Sequence, residues 1–180
     1  MSSYQFVFRS IIDVEQPELE TFQCTEDDLR QFLIEDARPF DESNITKTTV
    51  VSLEGESGIV GYFSLSADAV QLSDGEAFHL SLPFKAPTSF FPAVKLTKLA
   101  VATSFQGNGL GSQLINSVMG LAFALSQAAA VRLLTVDALN KPDVIRFYER
   151  NGFTECAQDS RMRREQKNKR TIPMYRDMYA

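Results

Sequence analysis

The stretch Leu99-Ala100-Val101-Ala102-Thr103-Ser104-Phe105-Gln106-Gly107-Asn108-Gly109-Leu110-Gly111-Ser112 decides how the rest of the chain is read. Its first residues close a β-rich run that begins at Val94, and its glycines lead into a helix-patterned segment that continues to about residue 129. In a strand, glycine turn and helix, backbone N–H groups approach a ligand closely while the positive end of the helix points at it. No charged side chain lies between Leu110 and Ala130, so no acid near the turn competes with a bound anion. Two phosphate-binding patterns fail on spacing. A dinucleotide fingerprint counted from Gly107 needs glycine at the sixth place, which is Ser112, and a P-loop needs lysine after its last glycine, where Ser112 and Gln113 stand. A diphosphate cradled by main-chain donors survives, with a plain connecting turn as its alternative.

Downstream of this stretch, 131–139 reads as a strand. Asn140 is the expected N-cap of a further helix, with Pro142 in its first turn, Val144, Phe147 and Tyr148 in its pattern, and Gly152 as its stop. A closing strand pair falls near 153–156 and 172–178, with a basic run between. Upstream, 46–53 and 59–67 form an antiparallel hairpin, and 5–12 is a first strand. Thr25 reads as the N-cap of a helix carrying Leu29, Phe32 and Leu33 and ending before Pro39. Residues 68–92 form a long apolar connection, with Pro83, Pro87 and Pro92 among Phe78, Phe84, Phe90 and Phe91; it packs under a loop or walls a substrate pocket. Hairpins combined with one crossover helix give an α+β fold with a mixed sheet flanked by helices, expected as a single domain over 1–180.

Composition narrows the class. With 180 residues, 44% hydrophobic and 23% charged, the chain can bury a core without staples, and wholesale disorder, collagen and coiled coil are excluded. Cys24 and Cys156 are the only cysteines, too few for a disulfide framework or a cysteine-based zinc site, so no metal is expected. No basic-then-apolar leader opens the chain and polar residues interrupt 99–131, so a cytoplasmic protein without a membrane span is expected. The net charge of -5 is unevenly spread. Residues 13–42 hold eleven acids against Arg30 and Arg38, and 161–170 hold six bases against Glu165. The acidic run is a solvated face or an attractor for a cationic amine; the basic run is a solvated loop or a phosphate contact.

Gln106, Gly109 and Gly111, following Leu99, Ala100 and Val101, match the signature of the GNAT superfamily of acetyl-coenzyme A dependent N-acetyltransferases. The run Phe147, Tyr148, Glu149, Arg150, Asn151, Gly152, Phe153 resembles that family's late helix. Phe22, Cys24, Leu29, Phe32, Leu33 and Ala37, with Gly61 to Leu65, resemble the branch that includes toxins of toxin-antitoxin modules and solitary relatives. The resemblance implies that acetyl-CoA is bound by Gln106, Gly107, Asn108, Gly109, Leu110, Gly111 and Ser112 through its diphosphate, and by Leu99, Ala100 and Val101 through its pantetheine arm. It implies that Tyr148 protonates the departing thiolate. Asn140 is a further coenzyme contact by resemblance, one position before the place where the family puts its asparagine, here Lys141.

The general base stays unassigned: His79, the only histidine, lies in the aromatic connection, and Asp137 is a relay at most. The first reading of the acceptor is a primary amine of a small molecule or peptide. The alternatives are a toxin acetylating the amino acid of aminoacyl-tRNA, with an antitoxin as partner, and a non-catalytic acyl-CoA sensor. On the crossover helix, Gln113, Asn116, Ser117, Gly120, Ala124, Gln127 and Ala128 make a small, uncharged stripe opposite Leu114, Val118 and Leu125, which raises a homodimer through that face.

Overall fold

The computed structural model describes residues 5–157 and 170–180. The basic run at 161–170 therefore falls, except for Arg170, outside the described residues.

Alternating β-branched and aromatic residues build β1 (Phe6–Ser10), which passes through a 3-10 turn, Ile11–Asp13, into short α1 (Gln16–Glu20). Next come α2 (Asp27–Gln31), a π turn (Phe32–Asp36) and α3 (Ala37–Glu42). Two expectations are corrected here. Glu26, not Thr25, is the N-cap, and Thr25 instead donates its hydroxyl to Gln106 Oε1 at 2.8 Å. The helical path also runs through Pro39. In the wide π turn the Ala37 N–H bonds Phe32 O, five residues back, so Pro39 falls in the first turn of a new segment, where its missing donor is tolerated.

The hairpin forms as expected, β2 (Lys47–Leu53) against β3 (Gly61–Gln71), with Thr49 opposite Phe63. The connection after β3 is not wholly irregular. Ser73 and Glu76 make a reciprocal capping box that starts α4 (Asp74–His79), a helix absent from the sequence reading. Phe91 is buried, but Phe78, Phe84 and Phe90 are exposed, so most of this aromatic stretch lies outside the core.

β4 (Phe90–Val101) leads through a 3-10 turn, Thr103–Phe105, to α5 (Leu110–Leu125), then β5 (Leu133–Leu139). Leu114 and Val118 are buried on α5 as expected, whereas Leu125, at its end, is exposed. α6 (Pro142–Arg150), β6 (Thr154–Glu155) and β7 (Thr171–Asp177) complete the chain. Lys141 replaces Asn140 as the N-cap of α6. Pro142 disfavours helical backbone in the residue before it, and Lys141 is extended (φ -122, ψ 133) with no side-chain cap.

The seven strands are ordered β1-β2-β3-β4-β5-β7-β6. β1, β2 and β3 pair antiparallel in sequence, as do β5, β7 and β6. β4 and β5 are neighbours joined through α5, the crossover that parallel strands require, so the sheet is mixed. The chain forms two compact units, the described parts of 1–66 with 96–114 and of 67–95 with 115–180. The first is cored by Leu19, Phe22, Phe32, Leu33, Val50, Tyr62 and Ala100. The second packs Leu72, Leu80, Phe91, Leu133 and Tyr175.

Candidate active site

The first unit builds its site on the end of β4. Ala100 is buried, and the Ala102 N–H donates to Val60 O at 2.8 Å, tying the strand exit to the residue before β3. After the 3-10 turn, Gln106 is extended, and Gly107 and Gly109 take φ of +79° and +80°. A side chain is strained at such angles, whereas glycine is not. A Cβ at either position meets nothing within 4 Å, so the turn demands glycine for its backbone angles and leaves open space beside it.

Gln106 does more than the signature suggests. Its Nε2 donates to Val101 O at 3.0 Å, while its Oε1 accepts from Thr25, so one side chain ties the turn to both the strand exit and the N-terminal segment. Leu110 anchors the first turn of α5 in the core at 1% exposure. The Gln113 N–H already donates to Gly109 O at 3.2 Å, whereas the N–H groups of Leu110, Gly111 and Ser112 precede any carbonyl within the helix; no acid stands among them, and Gly107 and Gly109 open the space around the turn. This local structure can bind an anion.

Within the second unit, Tyr148 lies on α6 at 7% exposure. Its ring lies edge-on to Phe147 and Phe153, with centroids 5.1 and 5.3 Å away. Its hydroxyl bonds no protein group among the described residues, and burial pushes its pKa well above the usual tyrosine range. It is a protonated, geometrically fixed donor over the whole physiological pH range. Asn140 sits at the end of β5, where its N–H donates to Arg170 O at 2.9 Å.

Several charged groups were not legible from sequence. Lys95 pairs with Asp137 at 2.6 Å, and Thr135 donates to Asp68 at 2.6 Å, beside a cavity of about 280 Å³ also lined by Cys156 and Met174. The Asp137 carboxylate is thus held by Lys95. In the first unit a shallow groove of about 510 Å³ is lined by Glu20, Asp27, Arg30, Gln31, Ile34 and Glu35. The acidic run is not uniformly solvated: Glu18 pairs with Arg9, and Asp41, buried, accepts from the Thr48 N–H at 2.8 Å and from Lys47. His79 ends α4, beside Phe78.

The tyrosines set an alkaline limit. Burial raises Tyr62 and Tyr148 well above the ordinary value and takes Tyr175 to about 12, with the carboxylate of Glu76 as a further cause for Tyr175. Each raised group leaves stability intact below its unfolded pKa of about 10 and withdraws it as pH climbs from there through the folded value. Denaturant midpoints on account of these groups are therefore expected to hold to about pH 10 and fall above it, with tyrosinate absorbance lagging that of free tyrosine. Full tyrosine ionisation at pH 10 with no loss of midpoint would contradict this.

A family model described as acetyltransferase (GNAT) domain matches residues 47–155. The chain belongs to the GNAT acetyltransferase family. Solved structures agree in fold along nearly the whole length. AtaT complexed with acetyl-methionyl-tRNAfMet is 20% identical, with 97% of this chain and 96% of that one covered at a TM-score of 0.76. A tyrosine-to-phenylalanine variant of KacT is 22% identical over 97% and 96%, with a TM-score of 0.76. AtaTR bound with AcCoA is 22% identical over 97% and 94%, with a TM-score of 0.74. As a GNAT protein the chain is an acetyltransferase, and its fold matches that of the toxin-containing branch. Among the described residues no helix is long and apolar enough to cross a membrane, and no three His, Cys, Asp or Glu side chains could hold a metal ion.

Proposed function

We propose that this protein transfers the acetyl group of acetyl-CoA to the α-amine of an aminoacyl group carried on tRNA, in the cytoplasm. The observation carrying this reading is the fold likeness over 97% of the chain to AtaT, solved with acetyl-methionyl-tRNAfMet. We assign 1–180 to one acetyltransferase domain. The N–H groups of Gln106, Gly107, Asn108, Gly109, Leu110, Gly111 and Ser112 hold the coenzyme diphosphate. The edge at Leu99, Ala100 and Val101 pairs with the pantetheine arm and polarises the thioester carbonyl, the fixed-dipole stabilisation that is often the largest catalytic contribution. Asn140 is a further contact to the coenzyme.

The amine attacks the carbonyl carbon, the tetrahedral adduct collapses with loss of the C–S bond, and Tyr148 gives its proton to the thiolate. The proton lost by the amine goes to water and, in turn, back to Tyr148. Freeing an α-amine of its proton at pH 7 costs about 1 kcal/mol, against about 4 to 5 for an alkyl amine, so an α-amine acceptor suits a site with no assigned base. A small antitoxin is the partner expected under this reading, and the uncharged outer stripe of α5 supports a homodimer.

A second reading, a primary amine on a small molecule or peptide, is favoured by the groove with Glu20, Asp27 and Glu35, which suits a cation. Release of free thiol from acetyl-CoA separates the two. Bulk charged tRNA is expected to support faster release than polyamines, free amino acids or peptides; release with the small amines and none with charged tRNA would replace the first reading by the second. Sedimentation showing only 20.1 kDa particles at micromolar concentration would remove the homodimer.

A further inference from the structure

Side chains alternate along β4, so Leu96, Lys98 and Ala100 share one face of the strand. Leu96 and Ala100 are buried in the core, and between them Lys98 is half-buried. An ammonium in such a place normally finds a carboxylate. Lys47 pairs with Asp41 and Lys95 with Asp137. Lys98 has no carboxylate partner among the described residues, although the eleven acids of 13–42 lie on the segment that covers it. What faces Lys98 is the ring of Phe32, 4.9 Å from the ammonium to the centroid.

That ring is held in place. Phe32 opens the π turn, stacks on Tyr62 at 6.3 Å and meets Phe40 edge-on at 5.7 Å. Tyr62 is fixed in turn, its hydroxyl donating to Leu29 O at 2.7 Å. An aromatic face attracts a cation without neutralising it, so the positive charge stays available to an external anion. Single π turns within helices are rare and occur frequently at functional sites, and here the turn carries the ring that faces the lysine.

We propose that Lys98 is a specificity residue that binds a phosphate oxygen of the acceptor, in the phosphodiester chain next to the aminoacylated nucleotide. The inference rests on the tRNA reading above, and it separates two kinds of anion. The coenzyme diphosphate has its own donors in the glycine turn, whereas Lys98 projects to the opposite face of β4 from Leu99 and Val101, towards Phe32. A compact ammonium on a flexible stem suits a phosphate as a point charge.

The test measures binding of a labelled single-stranded CCA trinucleotide across a salt series, then steady-state acetylation of bulk charged tRNA and of amino-acid amides, for the parent, Lys98→Gln and Lys98→Arg. Lys98→Gln is expected to weaken trinucleotide binding about five- to tenfold at low salt and to reduce the log–log salt slope by about 0.7, the contribution of one single-strand phosphate. It is expected to raise KM for charged tRNA by a similar factor, with kcat and the amide KM within twofold of the parent, and Lys98→Arg keeps the parental slope. A parent that does not bind the trinucleotide, an unchanged slope in Lys98→Gln, or equal KM changes for tRNA and amides would overturn the assignment. If the slope responds to Lys98→Gln while charged tRNA is not acetylated, the contact of Lys98 with a single-strand phosphate stands, and what falls is the tRNA reading together with the acceptor role it gives this residue. Parental affinity for coenzyme A in both variants verifies that they are folded.

Discussion

Gly61→Ala is expected to lower the melting temperature by about 5 to 10 °C and to weaken coenzyme A binding at least tenfold, from overpacking of about 2 to 3 kcal/mol at 2 to 4 °C per kcal/mol. Gly61 is the first residue of β3, buried and flanked by fully buried Tyr62 and nearly buried Val60. A Cβ there would sit 2.8 Å from Ala100 O, 3.0 Å from Leu114 Cδ1 and 3.7 Å from Val101 Cα. The nearest atom is a backbone carbonyl oxygen near the end of β4 and cannot rotate away as a side chain would, and Leu114 is at 0% exposure with nowhere to go. The strand or the first turns of α5 must move. These parts carry the edge at 99–101 and the start of the proposed diphosphate site, so stability and coenzyme affinity fall together. Gly120→Ala is the control. Gly120 lies inside α5 with nothing within 4 Å of its Cβ, so alanine there is expected to stabilise by about 0.5 to 1 kcal/mol. Thermal melts and calorimetry with coenzyme A check both variants; a Gly61→Ala protein melting within 2 °C of the parent would refute the steric argument.

The same part of the molecule shows what the sequence could and could not reveal. The strand, glycine turn and uncharged helix read over 94–129 are encoded by local periodicity and by residues adjacent in sequence; they form in that order, with the strand starting earlier, at Phe90, and the helix ending earlier, at Leu125. Pro39 misled because a proline stops an α-helix only if the ladder reaches it in register, and the π turn at 32–36 resets that ladder. The capping box at Ser73 and Glu76 was a legible signal, overshadowed by three prolines and four phenylalanines in the same connection. Other features depend on partners far away in the chain. Gln106 is bound to Thr25, 81 positions earlier, and Lys98 lies over Phe32, 66 positions earlier; no spacing rule joins either pair. The backbone geometry of the candidate site was therefore open to reading, and its side-chain supports were not.

Tyr148→Phe is expected to reduce kcat by about 10² to 10⁴, the usual worth of a positioned proton donor, and to leave the fold unchanged. Phenylalanine fills the same volume, keeps the edge-on contacts with Phe147 and Phe153, and gives up a hydroxyl that bonds no protein group among the described residues. The melting temperature is expected to stay within about 2 °C or rise. A phenol at its ordinary pKa of about 10 is already a weaker acid than a thiol near 8.5, a gap worth about 2 kcal/mol against transfer. Burial widens this gap by raising the tyrosine further. Transfer becomes favourable only if the departing thiolate is stripped of water in the same surroundings, because burial raises a thiol's pKa for the same reason.

Burial of Tyr148 fixes its part of the pH profile. With Tyr148 protonated throughout, no descending limb from this group falls below about pH 10, and the ascending limb follows deprotonation of the acceptor α-amine near pH 8. Tyr148→Phe should lower the plateau without displacing that limb, and KM for acetyl-CoA should change by less than about threefold because the proposed coenzyme contacts, at 99–101 and 106–112, do not include the tyrosine hydroxyl. Thiol release between pH 6 and 10 measures all three quantities. A plateau reduced less than threefold would take the proton-donor role away from Tyr148 and leave it a packing residue. A plateau reduced as expected but accompanied by a shifted limb would mean that the tyrosine acts on the amine rather than on the thiolate.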